Sequence, residues 1–374
     1  MTRPSMRVLK GPRDEVFSHE RLMSYIQEQS DADFPELSSE AAAERYHTGR
    51  VPNGGKGRNR PKLMLMGQRR SGKSSISGVV FQKMPPSETL YLETTTRPEE
   101  SSSHSFMDFQ IAELPGHVNY FTPDFNQANI FAEIGAIIWV IDAQDQYLDA
   151  LNQLIDTITY LAQTWPAINV EVFVHKVDGL SEEYKNDTFR DIRQRILDEL
   201  SDMGYDNAPV SFYQTSIYDH SVFESISKVI QKLLPQLPTL ESLLNSLCST
   251  CRIQKAYLFD IITKIYIASD TSPQDTNSYE ICSDLIDVVV DISELYGWPR
   301  PKDDQSDRLE FGNHACESMV TMEKKGHNYL YLREMNRYLA LVCIMGDDNP
   351  MERKVLIDYN VGVFQEALAK VFQW

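Results

Sequence analysis

Gly67-Gln68-Arg69-Arg70-Ser71-Gly72-Lys73-Ser74 has the spacing G-x-x-x-x-G-K-[ST] and follows an apolar run, Lys62 to Met66. This is the strand, loop and helix context that a phosphate-cradling loop requires. The glycines let backbone N–H groups turn inward on phosphate oxygens. Lys73 brings a point charge to the β- and γ-phosphates, and the Ser74 hydroxyl is a ligand for Mg²⁺. Arg69, Arg70, Ser71, Gly72 and Ser75 complete the expected phosphate-side contacts.

A second group reads a base. His175-Lys176-Val177-Asp178 ends a strongly apolar stretch, where GTPases generally carry Asn-Lys-x-Asp. A carboxylate at Asp178 can accept from both N1–H and N2–H₂ of guanine, and adenine offers no such donor pair, so GTP is favoured over ATP. The aliphatic stem of Lys176 is expected over the base plane with its charge left in water, and His175 stands where the usual Asn would. Ser216 and Ile217, in Thr215-Ser216-Ile217, occupy the place of a third base-contacting loop. Between these groups, Thr95 of Glu93-Thr94-Thr95-Thr96 offers a hydroxyl to Mg²⁺. Glu113-Leu114-Pro115-Gly116 takes the place of the common Asp-x-x-Gly, with Gly116 N–H available to a γ-phosphate and Glu113 expected to hold the metal through water. His117 stands where many GTPases place a water-orienting Gln. As a catalytic group it is a weak candidate, with an ordinary polar loop residue an equal account of it, and slow intrinsic hydrolysis is expected.

These side chains need a scaffold that brings loops together. From Pro61 onward strand and helix signals alternate, the pattern of a mostly parallel sheet covered by helices. Strands are expected at Lys62–Met66, Leu90–Glu93, Phe106–Ala112, Ala136–Ile141, Val170–His175 and Val210–Tyr213, with helices at Ser74–Gln82, Tyr147–Gln163, Thr188–Met203 and Val222–Leu233. Pro235-Gln236-Leu237-Pro238 breaks this series, which gives three parts: a flexible extension 1–60 with one short helix at Val16–Gln27, a module 61–238, and a module 239–374. The last reads as helix Leu240–Ser249, hairpin strands Ala256–Asp260 and Lys264–Ala268, helix Tyr279–Tyr296, further strands and a final helix. In that helix Leu356, Tyr359, Val363, Ala367 and Val371, flanked by Val355, Phe364, Leu368 and Phe372, make an apolar face wide enough to meet another chain.

Composition removes several classes. In 374 residues, 54 acidic side chains against 36 basic ones leave a formal charge of −18, the wrong sign for nucleic acid. Hydrophobic residues at 42% and charged residues at 24% exclude wholesale disorder. No apolar run reaches the roughly eighteen residues of a membrane span. The N-terminal residues show no signal-peptide pattern or myristoylation glycine, and the C-terminal residues hold no prenylation cysteine, so membrane residence is expected to be borrowed from a partner. The five cysteines, odd in number, read as reduced thiols, with Cys248 and Cys251 packed on a helix in preference to holding zinc.

The runs Gln68 to Ser75, His175 to Leu180, Thr215 to Ser221 and Phe259 to Asp270 together resemble a Rag GTPase of the RagC/RagD-like type, over about residues 61–374. The resemblance implies an α/β chain: a Ras-like P-loop G domain followed by a roadblock-type α/β domain. It implies GTP/GDP and Mg²⁺ as ligands, and heterodimerisation with a RagA/RagB-like subunit. It further implies a roadblock-protein membrane scaffold, the target-of-rapamycin kinase complex and a GTPase-activating protein of folliculin type as partners, with activity in the GDP-bound state. The setting implied is cytoplasmic and peripheral on the lysosomal or vacuolar membrane, with a nuclear pool compatible and no direct membrane insertion. Glu113 and His117 depart from that family's more usual Asp and Gln. Two other readings compete: a structural half of a heterodimer with negligible hydrolysis, and a P-loop ATPase or kinase, which Asp178 argues against.

Overall fold

The computed structural model describes residues 62–104, 108–116, 131, 134–273, 276–296, 317–322, 328–336, 338–346 and 353–372. The expected extension 1–60, its helix at Val16–Gln27 and His117 lie outside them. The chain forms two compact units: within the described residues, one runs to Pro235 and includes Asp260–Ile267, and the other takes Gln236–Phe259 and continues from Ala268.

The first unit is built on a six-stranded sheet: β1 (Lys62–Gly67), β2 (Glu99–His104), β3 (Asp108–Glu113), β4 (Ile134–Asp142), β5 (Asn169–His175) and β6 (Val210–Thr215). Their order is β2-β3-β1-β4-β5-β6. Leu63 to Met66 and Ala136 to Ile141 are buried, because strands with helices on both faces must be apolar on both. The helices are α1 (Lys73–Phe81), α2 (Leu148–Thr164), α3 (Glu182–Asp202) and α4 (Ser221–Lys232). Leu151, Leu154, Ile158 and Leu161 of α2 and Ile192, Ile196 and Leu200 of α3 recur at helical spacing and join Met64, Ile137, Trp139 and Val172 of the sheet in one core. From β1 the chain goes to β3 on one side, and β4 lies on the other, all three parallel. The crevice beyond the carboxyl end of β1 is therefore the switch point of the sheet, where ligands of open α/β sheets bind.

One expected strand is absent. Leu90 and Tyr91 belong to a 3₁₀ turn, Pro86–Tyr91, and are 76% and 84% exposed. Pro86 in the first turn presets that conformation, and Thr89 Oγ1 donates to Pro86 O at 2.7 Å. The outer strand is instead the polar Glu99–His104, which pairs antiparallel with β3. Its glutamates and serines show no apolar alternation, and an edge strand needs less of it.

After Pro235 come α5 (Leu237–Cys251), β7 (Ile253–Asp260), β8 (Tyr266–Ser269), α6 (Thr276–Leu295), β9 (Glu317–Met322), β10 (Asn328–Glu334), β11 (Leu339–Met345) and α7 (Lys354–Val371). The five strands form one sheet in the order β8-β7-β11-β10-β9, with β10 antiparallel to both β9 and β11. Pro238 lies in the first turn of α5, where its missing N–H costs nothing, so it opens a helix that the sequence reading began at Leu240. The buried face of α7 runs through Ile357, Val361, Phe364 and Leu368. Val355 and Tyr359, part of the wide apolar face read from the sequence, are exposed. Cys251 Sγ accepts from Asn360 Nδ2 at 3.3 Å, and burial raises the thiols of Cys248, to about 12, and Cys251. No described helix is long and apolar enough to cross a membrane.

Candidate functional site

The loop between β1 and α1 is shaped for close approach. Gly67 has φ +129°, and a Cβ there would come within 2.2 Å of Val140 O. Gly72, at φ +106°, caps α1 with no side-chain cap and no acidic residue in the first turn, which leaves the positive end of the helix open to an anion. Ser71 Oγ is buried with no hydrogen-bond partner among the described residues, a donor that a phosphate oxygen would satisfy. Lys73 Nζ donates to Gly67 O at 3.0 Å and Gln68 O at 2.8 Å. Burial lowers its pKa to about 8, against the opposing pull of the Glu113 carboxylate. Arg69 and Arg70 are exposed on the rim, and Ser75 follows Ser74 in the first turn of α1.

Three oxygens meet beside this loop. Ser74 Oγ lies 3.0 Å from Thr95 Oγ1, and both hydroxyls donate to Glu113 Oε1, at 2.6 and 2.9 Å. Glu113 ends β3, and its register opposite Leu65 aims it at the loop. Hard, closely spaced oxygens suit Mg²⁺, so Ser74 and Thr95 fit the metal role expected of them. Gly116 passes over the phosphate loop so tightly that a Cβ would sit 2.4 Å from Arg69 N.

The base-side residues converge on the same crevice. Lys176, in the left-handed region at φ +62°, directs its ammonium to Arg70 O at 2.8 Å and to the Asp142 carboxylate at 2.5 Å. The charge expected in water is thus paired with Asp142, on a side chain that is still 36% exposed. Gln144 Nε2 donates to Lys176 O at 2.7 Å. His175 pairs with Thr215 at the ends of adjacent strands, its Nδ1 3.0 Å from Thr215 Oγ1, and its ring edge faces the Gly72 position. Burial lowers its pKa to about 4, helped by the Lys176 charge, so the ring is neutral at pH 7. Asp178 Oδ1 accepts from Ser216 Oγ at 2.6 Å while the residue remains exposed. Ser216 is held in turn by Ser221 Oγ on its N–H, and Ile217 is buried beside it.

Asp142, Gln144 and Thr215 were not among the expected site residues. Asp142 had a signal, an acidic residue ending the most apolar strand at the ligand end of the sheet. Thr215 stood in the run read as the third base-contacting loop, but its contact with His175 had no signal, and Gln144 had none at all, because only strand order puts them beside His175 and Lys176.

Comparison with known proteins agrees with this layout. Residues 62–286 match a family model described as the Gtr1/RagA G protein conserved region. The chain is 52% identical over 314 residues to GTP-binding protein gtr2 of Schizosaccharomyces pombe, covering 83% of this chain and 98% of that protein. It is 50% identical over 322 residues to human Ras-related GTP-binding protein C, covering 86% and 79%. A more distant match is GTP-binding protein GTR1 of Saccharomyces cerevisiae, 23% identical over 307 residues, 80% of this chain and 95% of that one. With identities at this level over most of both chains, and a phosphate loop and base loop that meet at one crevice, the chain belongs to the Gtr1/RagA family of G proteins, as a RagC/RagD-like Rag GTPase.

Proposed function

We propose that the chain is a guanine-nucleotide switch, the RagC/RagD-like half of a Rag heterodimer that relays amino-acid sufficiency to the target-of-rapamycin kinase complex. The observation that supports it best is the tie from Lys176 to Arg70 O, which joins the base loop to the phosphate loop. Asp178 selects guanine, the Gly67–Ser74 loop with Ser71 and Lys73 holds phosphates, and Ser74 with Thr95 holds Mg²⁺. The metal, when bound, neutralises charge on the β- and γ-oxygens. Thr95 and Gly116 lie on the two segments that contact the phosphate side, so loss of the γ-phosphate would release them and change the outer surface.

The proposed partner is a RagA/RagB-like subunit, supported by the exposed apolar residues of α6 and α7 in the second unit. Membrane residence, at the lysosome or vacuole, would come through a roadblock-protein scaffold, and a folliculin-type activator would set the hydrolysis rate. Affinity-tagged full chain, purified and analysed by mass spectrometry for nucleotide and co-purifying chains, tests this reading. GDP or GTP and a second G protein are expected. Bound adenine nucleotide, or no nucleotide at all, would overturn it. Single-turnover hydrolysis with and without cell extract then separates a cycling switch from a static subunit.

A further inference from the structure

The contacts among Ser74, Thr95 and Glu113 close a triangle of oxygens with edges of 2.6, 2.9 and 3.0 Å. An octahedral Mg²⁺ shell with metal–oxygen distances of about 2.0–2.1 Å has neighbouring ligand oxygens about 2.9 Å apart. Two edges of the triangle match one face of such a shell and the third, Ser74 to Glu113 at 2.6 Å, is slightly shorter, with a single Glu113 oxygen as the third corner. An aspartate at this position would end one C–C bond, about 1.5 Å, short of that corner.

The surroundings point the same way. The Glu113 residue is only 6% exposed, and sheet pairing with Leu65 fixes its backbone. Among the described residues its carboxylate has two hydrogen-bond partners, the Ser74 and Thr95 hydroxyls. The nearby Lys73 ammonium donates to the carbonyls of Gly67 and Gln68. Lys73 gives this buried carboxylate an attracting charge but no hydrogen bond, so its burial is offset only in part, and a divalent cation over the triangle would offset the rest.

We propose that Glu113 ligates the divalent cation directly, its own oxygen standing where a shorter acidic residue would act through a water. This rests on the nucleotide-switch reading and adds a residue to its metal site. The bound cation then carries one more anionic ligand and one fewer water, and holds more tightly.

The test uses full-length chain loaded with a non-hydrolysable GTP analogue, with Mn²⁺ as the probe and electron paramagnetic resonance as the readout. In ¹⁷O-enriched water, Glu113→Asp should show one more metal-bound water than the unmutated chain. Glu113→Gln should weaken Mn²⁺ binding at least about tenfold. Circular dichroism checks that each variant is folded, and chromatography of the released nucleotide checks loading. Equal water counts in the unmutated chain and Glu113→Asp, or an Mn²⁺ affinity of Glu113→Gln within about twofold of the original, would overturn direct ligation and leave the switch reading standing. A folded, unmutated chain that takes up no guanine nucleotide would overturn both.

Discussion

Asp178 is the residue on which base choice depends, and its environment makes the choice testable. Ser216 Oγ holds one carboxylate oxygen at 2.6 Å, and the exposed remainder of the group is free to meet a base edge. Asp178→Asn replaces an acceptor pair by one acceptor and one donor, and the donor opposes guanine N2–H₂. A polar group left unpaired costs about 1–3 kcal/mol, and at least about 1.5 where the lost bond was to a charge, so GTP affinity should fall at least about tenfold. Xanthine has a carbonyl where guanine has that amino group, so XTP should gain, as competition of GTP, XTP and ATP against a fluorescent nucleotide would show. His175 gives a second prediction. Its folded pKa of about 4 lies below the unfolded value of 6.5, so between those limits the unfolded chain binds the extra proton and stability falls as pH drops. The loss should approach about 3 kcal/mol across that window. Urea unfolding at pH 7 and pH 4.5 should show His175→Asn, which cannot titrate, losing less than the original chain.

Elements meet at this site through positions where no side chain fits. At Gly72 the backbone is left-handed and a Cβ would fall 2.5 Å from His175 Cδ2. Gly72→Ala therefore carries two separable faults, backbone strain of about 1–3 kcal/mol and a collision between the α1 cap and the end of β5. Nucleotide affinity and melting temperature should both fall. Adding His175→Ala should recover part of the melting temperature by removing the collision, and the strain should remain. No recovery in the double variant would show that the β5 side chain does not limit the loop.

At the scale of the whole molecule, the second unit leaves apolar surface uncovered. Val288, Ile292 and Leu295 share one stripe of α6, Tyr296 follows just past its end, and Leu295 and Tyr296 are 79% and 80% exposed. Val355 and Tyr359 of α7 add to it. A stable partner interface takes on the order of 1,600 Å², and patches this apolar are seldom left to water. Residues 239–374 expressed alone should self-associate or aggregate, and co-expression with the partner's corresponding part should make them soluble. Ile292→Glu with Leu295→Glu in the full chain should abolish co-purification of the partner while nucleotide binding persists. A monodisperse monomer of the isolated segment would count against this surface as an interface.

Much of the molecule was legible before any coordinates, and the reason is local chemistry. The phosphate loop announces itself because glycine, lysine and serine must stand at fixed spacing in one short run, and the apolar strands Lys62–Gly67 and Ile134–Asp142 because a sheet buried on both faces tolerates little else. The edge strand Glu99–His104 was hidden because its side chains are mostly exposed and carry no apolar pattern, and the apolar Leu90-Tyr91-Leu92 suggested a strand that Pro86 turns into a 3₁₀ segment. The site's cross-links were beyond sequence for another reason. Lys176 to Asp142 and Arg70, His175 to Thr215, and Glu113 to Ser74 and Thr95 join residues from 18 to 106 positions apart. Sequence by itself determined which groups bind phosphate and which read a base. Strand order alone decided which of them touch, because the placement of β1 between β3 and β4 brings distant strand ends to one crevice.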